Sequence, residues 1–132
     1  MDSLFLLGAP RSGSSVVAGL LARSGFAVAE ELHRPTAASP SGGFESGLVQ
    51  EINEALISSV CPPEPLLLPG QYWLAQVEES FQITACDEIS AAMQRVLSRP
   101  CCLKDSRFLW TLPNWLEHSP SAKVVCSFRS PV

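Results

Sequence analysis

Charge is scarce in this chain. Of its 132 residues, 17% are charged and 46% are hydrophobic. That balance excludes a disordered chain and sets the expectation of one core-forming domain. Positive charge is scarcer than negative. The net charge of −4 and a pI of about 5.1 exclude a broadly basic nucleic-acid-binding surface. Histidine occurs only as His33 and His118, and neither has a metal-ligand spacing. The five cysteines (Cys61, Cys86, Cys101, Cys102, Cys126) form no C-x-x-C and leave an odd count, so no metal site is expected. They read as reduced, mostly buried thiols of a cytoplasmic protein. Met1-Asp2-Ser3 carries no basic leader, and the apolar run behind it stops at Gly8, far short of a membrane span.

What is present is concentrated at the start. Leu4–Leu7 is an apolar run of strand length. It enters Gly8-Ala9-Pro10-Arg11-Ser12-Gly13-Ser14-Ser15, and this loop opens into a helix-like segment with Val16, Val17, Leu20 and Leu21 on its apolar face. Such a layout aims converging backbone N–H groups and the positive end of a helix dipole at an anion. Gly8 and Gly13 have the G-x-x-x-x-G spacing of a P-loop, but Ser14 stands where a nucleoside triphosphatase carries lysine. The nearest cation is Arg11, inside the loop. The expectation is a phosphate or sulfate cradle that does not serve ordinary ATP hydrolysis.

Further on, the pattern predicts a helix at Ser14–Arg23, a short strand at Phe26–Ala29, and a loop at Glu30–Gly43. A helix is expected at Glu45–Val60, followed by a Pro-rich breaker at Cys61–Gly70. Tyr72–Phe81 fits a helix or an extended excursion. Asp87–Leu97 reads as a helix with Asp87 as its N-cap. Cys101–Leu103 reads as a second strand, Phe108–Leu116 as a helix interrupted or restarted at Pro113, and Lys123–Phe128 as a third strand. Strands separated by helices imply parallel pairing with helices on both faces, and ligands bind at the carboxyl ends of such strands. The loop, Lys104–Arg107 and Arg129 each follow an expected strand, so all three should face one crevice. Arg11, Lys104, Arg107 and Arg129 would bring four of the nine Lys and Arg there.

These segments resemble the sulfotransferases that use phosphoadenosine phosphosulfate (PAPS). Pro10-Arg11-Ser12-Gly13-Ser14-Ser15 is similar to their P-R-S-G-T-T or P-R-S-G-T-S loop. Ser41-Gly42-Gly43-Phe44-Glu45 looks like the P-x-G-[YF]-[FW]-E segment of bacterial members. Leu103-Lys104-Asp105-Ser106-Arg107 looks like K-D-P-R, with Ser106 in place of proline, and Leu112-Pro113-Asn114-Trp115 follows as L-P-x-W does. Lys123 to Pro131 is similar to the strand and R-x-P turn that begin the family's 3′-phosphate motif. The matches follow the family's order and cover most of the chain.

The resemblance implies an α/β fold with a three-layer parallel sheet of the P-loop nucleoside triphosphate hydrolase type, truncated, in one partial domain over residues 1–132. It implies PAPS as cosubstrate and no metal. Sulfuryl would pass to a hydroxyl or amine of a small-molecule, carbohydrate or peptide acceptor. Arg11 would balance charge on the leaving oxygen. Pro10, Ser12, Gly13, Ser14 and Ser15 would line the 5′-phosphate site, and Arg129 would contact the 3′-phosphate. Glu45 is the candidate general base, with His33 behind it. The serine that completes the family's 3′-phosphate motif would lie beyond Val132.

Plainer readings stand beside these. Glu45 also reads as an acid at a helix N-terminus, Lys104 and Asp105 as a local ion pair, and Arg129 as a surface arginine. Trp73, Trp110 and Trp115 read as core, Glu51 and Glu54 as a solvated face, and Cys101-Cys102 as strand core. A P-loop nucleotide kinase or NTPase is one alternative. A non-catalytic remnant that self-associates through the exposed strand Lys123–Phe128 is another.

Overall fold

In the computed structural model, which describes residues 2–9, 11–29, 43–61 and 82–130, three strands and four helices are arranged around one central strand. The order is β1 (Leu4–Gly8), α1 (Ser14–Arg23), α2 (Gly47–Ser58), α3 (Asp87–Val96), β2 (Cys102–Lys104), α4 (Phe108–His118) and β3 (Lys123–Ser127). The sheet order is β2-β1-β3 and every pairing is parallel, so the chain is α/β as expected.

β1 is buried along its whole length, which explains a run of apolar residues without alternation. Phe5 and Leu7 join a cluster with Val49, Ile52 and Leu56 of α2, Met93 of α3, Leu103 of β2, and Phe108 and Trp115 of α4. Leu4 and Leu6 point the other way, into a cluster with Ala18, Val17 and Leu21 of α1 and with Val125 of β3. Phe5, Phe108 and Trp115 meet edge to face. Their centroids are 5.1 Å apart for Phe5–Phe108, 5.9 Å for Phe5–Trp115 and 5.7 Å for Phe108–Trp115.

Several local expectations change. α4 runs unbroken through Pro113. Proline removes one helical N–H, but it sits on the exposed side, as does Leu109 one turn earlier, whose carbonyl is the one left without that donor. Buried Phe108, Thr111, Asn114 and Trp115 hold the other face. Cys86 holds the N-cap position of α3 without a side-chain cap, and Asp87 is the first helical residue, placed where the dipole favours an acid. Ser46, whose Oγ accepts from the Val49 amide, starts α2 at Gly47. The strand expected at Phe26–Ala29 is a single parallel bridge, Val28 to Cys102. Tyr72–Phe81 and nearly all of Glu30–Gly43 and Cys61–Gly70 lie outside the described residues.

No helix among the described residues is long and apolar enough to cross a membrane. Cys61, Cys101 and Cys102 are buried, Cys86 and Cys126 are exposed, and all five are free thiols.

Candidate functional site

The loop after β1 is built by close approach. A Cβ on Gly8 would overlap the side-chain oxygens of Ser12 and Ser127 and lie 2.9 Å from the Ser127 carbonyl oxygen, so only glycine fits there. The Ser12 amide donates to the Ala9 carbonyl at 3.1 Å and closes the turn. Arg11 has φ 68° and Gly13 has φ 91°. The left-handed region is ordinary for glycine and costs an arginine about 1–2 kcal/mol. Strain of this kind collects at functional sites.

α1 begins at Gly13 with no side-chain cap and no acid in its first turn. Its first two ordered amides, Val16 and Val17, donate to the Gly13 carbonyl. No described residue accepts from the amides of Gly13, Ser14 or Ser15. α2, by contrast, has Ser46 on its N-terminal amides. Among the described residues, the start of α1 therefore presents donors and a positive dipole end that no other group uses. Ser14 is buried, Ser15 half-buried and Arg11 exposed; Pro10 lies outside the described residues.

Parallel pairing puts the ends of all three strands on one edge. Gly8 is in register with Ser127, and Leu6 with Lys104. Lys104 and Arg107 are brought to that edge, but they are not free to hold an anion. Lys104 is buried, and its Nζ donates to Glu45 Oε1 at 2.6 Å and to the Gly43 carbonyl at 2.8 Å. Arg107 pairs with Glu54 at 2.7 Å and with Asp105 at 3.2 Å. Lys104 and Asp105 are thus not partners of each other, and Glu54, though its side chain is 41% exposed, forms an ion pair that the sequence reading did not foresee. Phe44, at φ 54°, turns the chain so that Glu45 reaches Lys104. The Phe44 ring packs on Gly19 of α1, where a Cβ would be 3.3 Å from it. Glu45 Oε2 accepts from Gln50 Nε2 at 2.8 Å, so both carboxylate oxygens are engaged. His33 lies outside the described residues.

Beneath the edge lies a buried polar network. Asn53 Oδ1 accepts from Thr111 Oγ1 and from Trp115 Nε1, both at 2.8 Å, and ties α2 to α4. Trp115 is core as expected, Trp110 is half-buried, and Trp73 lies outside the described residues. Asp105 is 1% exposed and its Oδ1 accepts from the Arg107 amide at 2.8 Å. Burial pushes the Asp105 carboxyl above its usual range, with the Arg107 charge, the Arg107 amide and the nearby Asn53 amide pulling it back. Asn53 Nδ2 and Asp105 Oδ2 make no hydrogen bond of ordinary geometry. Burial, and then the neighbouring Cys101, push the Cys102 thiol up to about 11, which suits a core residue and not a nucleophile.

Arg129 follows β3 by two positions, is exposed, and makes no hydrogen bond or ion pair with another described residue. Among the described residues, Arg11 and Arg129 are cations of this edge without an acid paired to them. A cleft of about 360 Å³, lined by Val28, Leu48, Arg95, Arg99, Pro100 and Cys101 among others, opens at the opposite end of β2, away from the loop. No group of three or more potential metal ligands occurs among the described residues. Ser127, Asn53 and Thr111 escape a reading of the sequence, because serine, asparagine and threonine gain their roles only from register and helix packing. The chain matches no protein-family model, no curated protein and no solved structure.

Proposed function

We propose that this chain is sulfotransferase-like, of the three-layer P-loop class, and that the loop between β1 and α1 takes the phosphosulfate end of PAPS. The observation that carries the reading is the loop itself. No described residue accepts from the amides of Gly13, Ser14 and Ser15, at the start of a helix without a side-chain cap. Arg11 stands beside them with an exposed side chain and a strained backbone. The order of sequence segments that resembles the PAPS-dependent family supports the choice of a phosphosulfate over a plain phosphate.

PAPS supplies an activated sulfuryl group. In transfer, a bond forms between the acceptor oxygen or nitrogen and sulfur, the bond from sulfur to the phosphate oxygen breaks, and the acceptor proton passes to a base. The chain's part is positioning and charge balance. The free amides and the Ser14 and Ser15 hydroxyls hold the phosphate, Arg11 meets the charge on the leaving oxygen, and Arg129 takes the 3′-phosphate. Glu45 keeps one lone pair on each oxygen, so it acts as base only while still holding Lys104 and Gln50. The acceptor is a small molecule, carbohydrate or peptide bearing a hydroxyl or amine, and no metal takes part. A cytoplasmic setting, where thiols stay reduced, suits the five free cysteines.

A second reading rests on β3. β3 is an outer strand of the described sheet; its Val124 is 46% exposed, and Phe128, just after the strand, is 87% exposed. Such an edge favours self-association of a non-catalytic chain.

Calorimetric titration with adenosine 3′,5′-bisphosphate, and with ATP and magnesium, separates these. Saturable binding of the bisphosphate, weakened about tenfold or more in Arg11→Ala, is the expected result. Binding of ATP alone would transfer the loop to a kinase or NTPase. No binding by a folded chain leaves the self-associating, non-catalytic reading.

A further inference from the structure

The loop is fastened at one point. Ser12 Oγ lies 3.0 Å from Ser127 Oγ, across 115 residues of chain. Ser127 Oγ also lies 3.3 Å from the Leu7 carbonyl oxygen. A carbonyl only accepts, so the Ser127 proton goes to Leu7 and the Ser127 lone pair receives the proton of Ser12. The Ser12 hydroxyl is then spoken for and has no proton left for an anion. Gly8, in register with Ser127, leaves the space that this contact fills.

We propose that Ser127 is a positioning residue for the anion loop and that Ser12 is its latch, not a ligand. β3 holds Ser12, Ser12 fixes the turn between Arg11 and Gly13, and that turn aims the amides of Gly13, Ser14 and Ser15. The proposal rests on the reading of the loop as an anion site. It departs from the sequence expectation that the Ser12 hydroxyl contacts the 5′-phosphate. It also makes the end of β3 part of the site in a way that Arg129 alone does not.

The test is a cycle of Ser12→Ala, Ser127→Ala and the double variant, with Ser127→Thr as the conservative replacement. Each protein is titrated with adenosine 3′,5′-bisphosphate. The latch predicts that each single variant and the double weaken binding by the same factor, about fivefold. Ser127→Thr keeps the hydroxyl and restores the affinity. Loss in Ser12→Ala with none in Ser127→Ala makes Ser12 a direct ligand and overturns the proposal. So does a double variant whose loss is the product of the singles. If the unaltered chain binds no bisphosphate, the function proposed above fails on its own, and the latch is judged by urea unfolding of the same proteins. Losses in the unfolding constant that do not multiply in the double variant sustain it; losses that multiply overturn it.

Discussion

β2 and β3 flank the same central strand in the same direction, yet they live in different surroundings. β2 is three residues long and wholly buried, and helices α2, α3 and α4 share its cluster. β3 is five residues long and none of them is buried. On the β2 side, aromatic rings meet edge to face and polar groups are tied across helices by Asn53. On the β3 side, Val124 and Phe128 stand open. The loop after β1 joins the two, since β1 ends between them and Ser12 reaches over to β3. Stability is thus concentrated on one side and the candidate chemistry leans toward the other, an arrangement common where a site needs access.

Mutations can break this comparison. The largest effect belongs to Trp115→Ala. It removes a fully buried ring and strips Asn53 Oδ1 of one donor, and it should cost about 3–5 kcal/mol in urea unfolding. An effect near zero would mean that the β2 side is not the stable core. Gly8→Ala comes next. Its methyl collides with Ser12 and Ser127, so a loss of about 1–3 kcal/mol is expected, accompanied by loss of anion binding. Stability lost with binding intact would separate the loop from β3.

Smaller effects sharpen the contrast. Glu45→Gln leaves the buried Lys104 ammonium facing a neutral amide. Because Glu45 is one-third exposed, the cost should be about 1–2 kcal/mol, below that of a fully buried pair. Thermal unfolding in low and high salt would measure it. Asp105 gives a pH signature. Its folded carboxyl titrates above the ordinary 3.8, so the folded state binds the proton more tightly than the unfolded chain does. The contribution favours folding below that value and declines as pH rises through the window above it. Asp105→Asn should remove this decline, so unfolding titrated from acid to neutral pH would show the wild type losing ground to the variant as pH rises. A wild type that gains ground instead would reverse the sign. The smallest change is expected from Val124→Thr on β3, within about 0.5 kcal/mol of the wild type. A larger cost would show β3 to be packed against something in solution.

The parts legible in sequence were those whose signal is local. β1 is a run of apolar residues ended by a glycine, and α1 follows at once with a 3.6-residue period. The strand ends could be placed on one edge because parallel pairing follows from the alternation of strands and helices. Illegible were the partners. Lys104 finds Glu45 across 59 residues, and nothing near either residue distinguishes that pair from Lys104 with its neighbour Asp105. Four cations on one edge looked like a polyanion site, but two of them neutralise acids of the protein itself. Pro113 reads as a break because its local cost is real, yet packing of Phe108 and Trp115 on Phe5 outweighs the single lost hydrogen bond. Ser127 looked like an ordinary strand residue. Only the register with Gly8 gives it a partner.

The left-handed backbone at Arg11 has a consequence for anyone improving this chain. Glycine at that position would relax the turn, and a screen that rewards thermal resistance alone would therefore tend to pick it. The same screen would discard the guanidinium that stands beside the unclaimed amides. Selection for robustness and selection for ligand capture pull this one residue in opposite directions, so variants hardened without a ligand present should drift toward an empty, neutral loop.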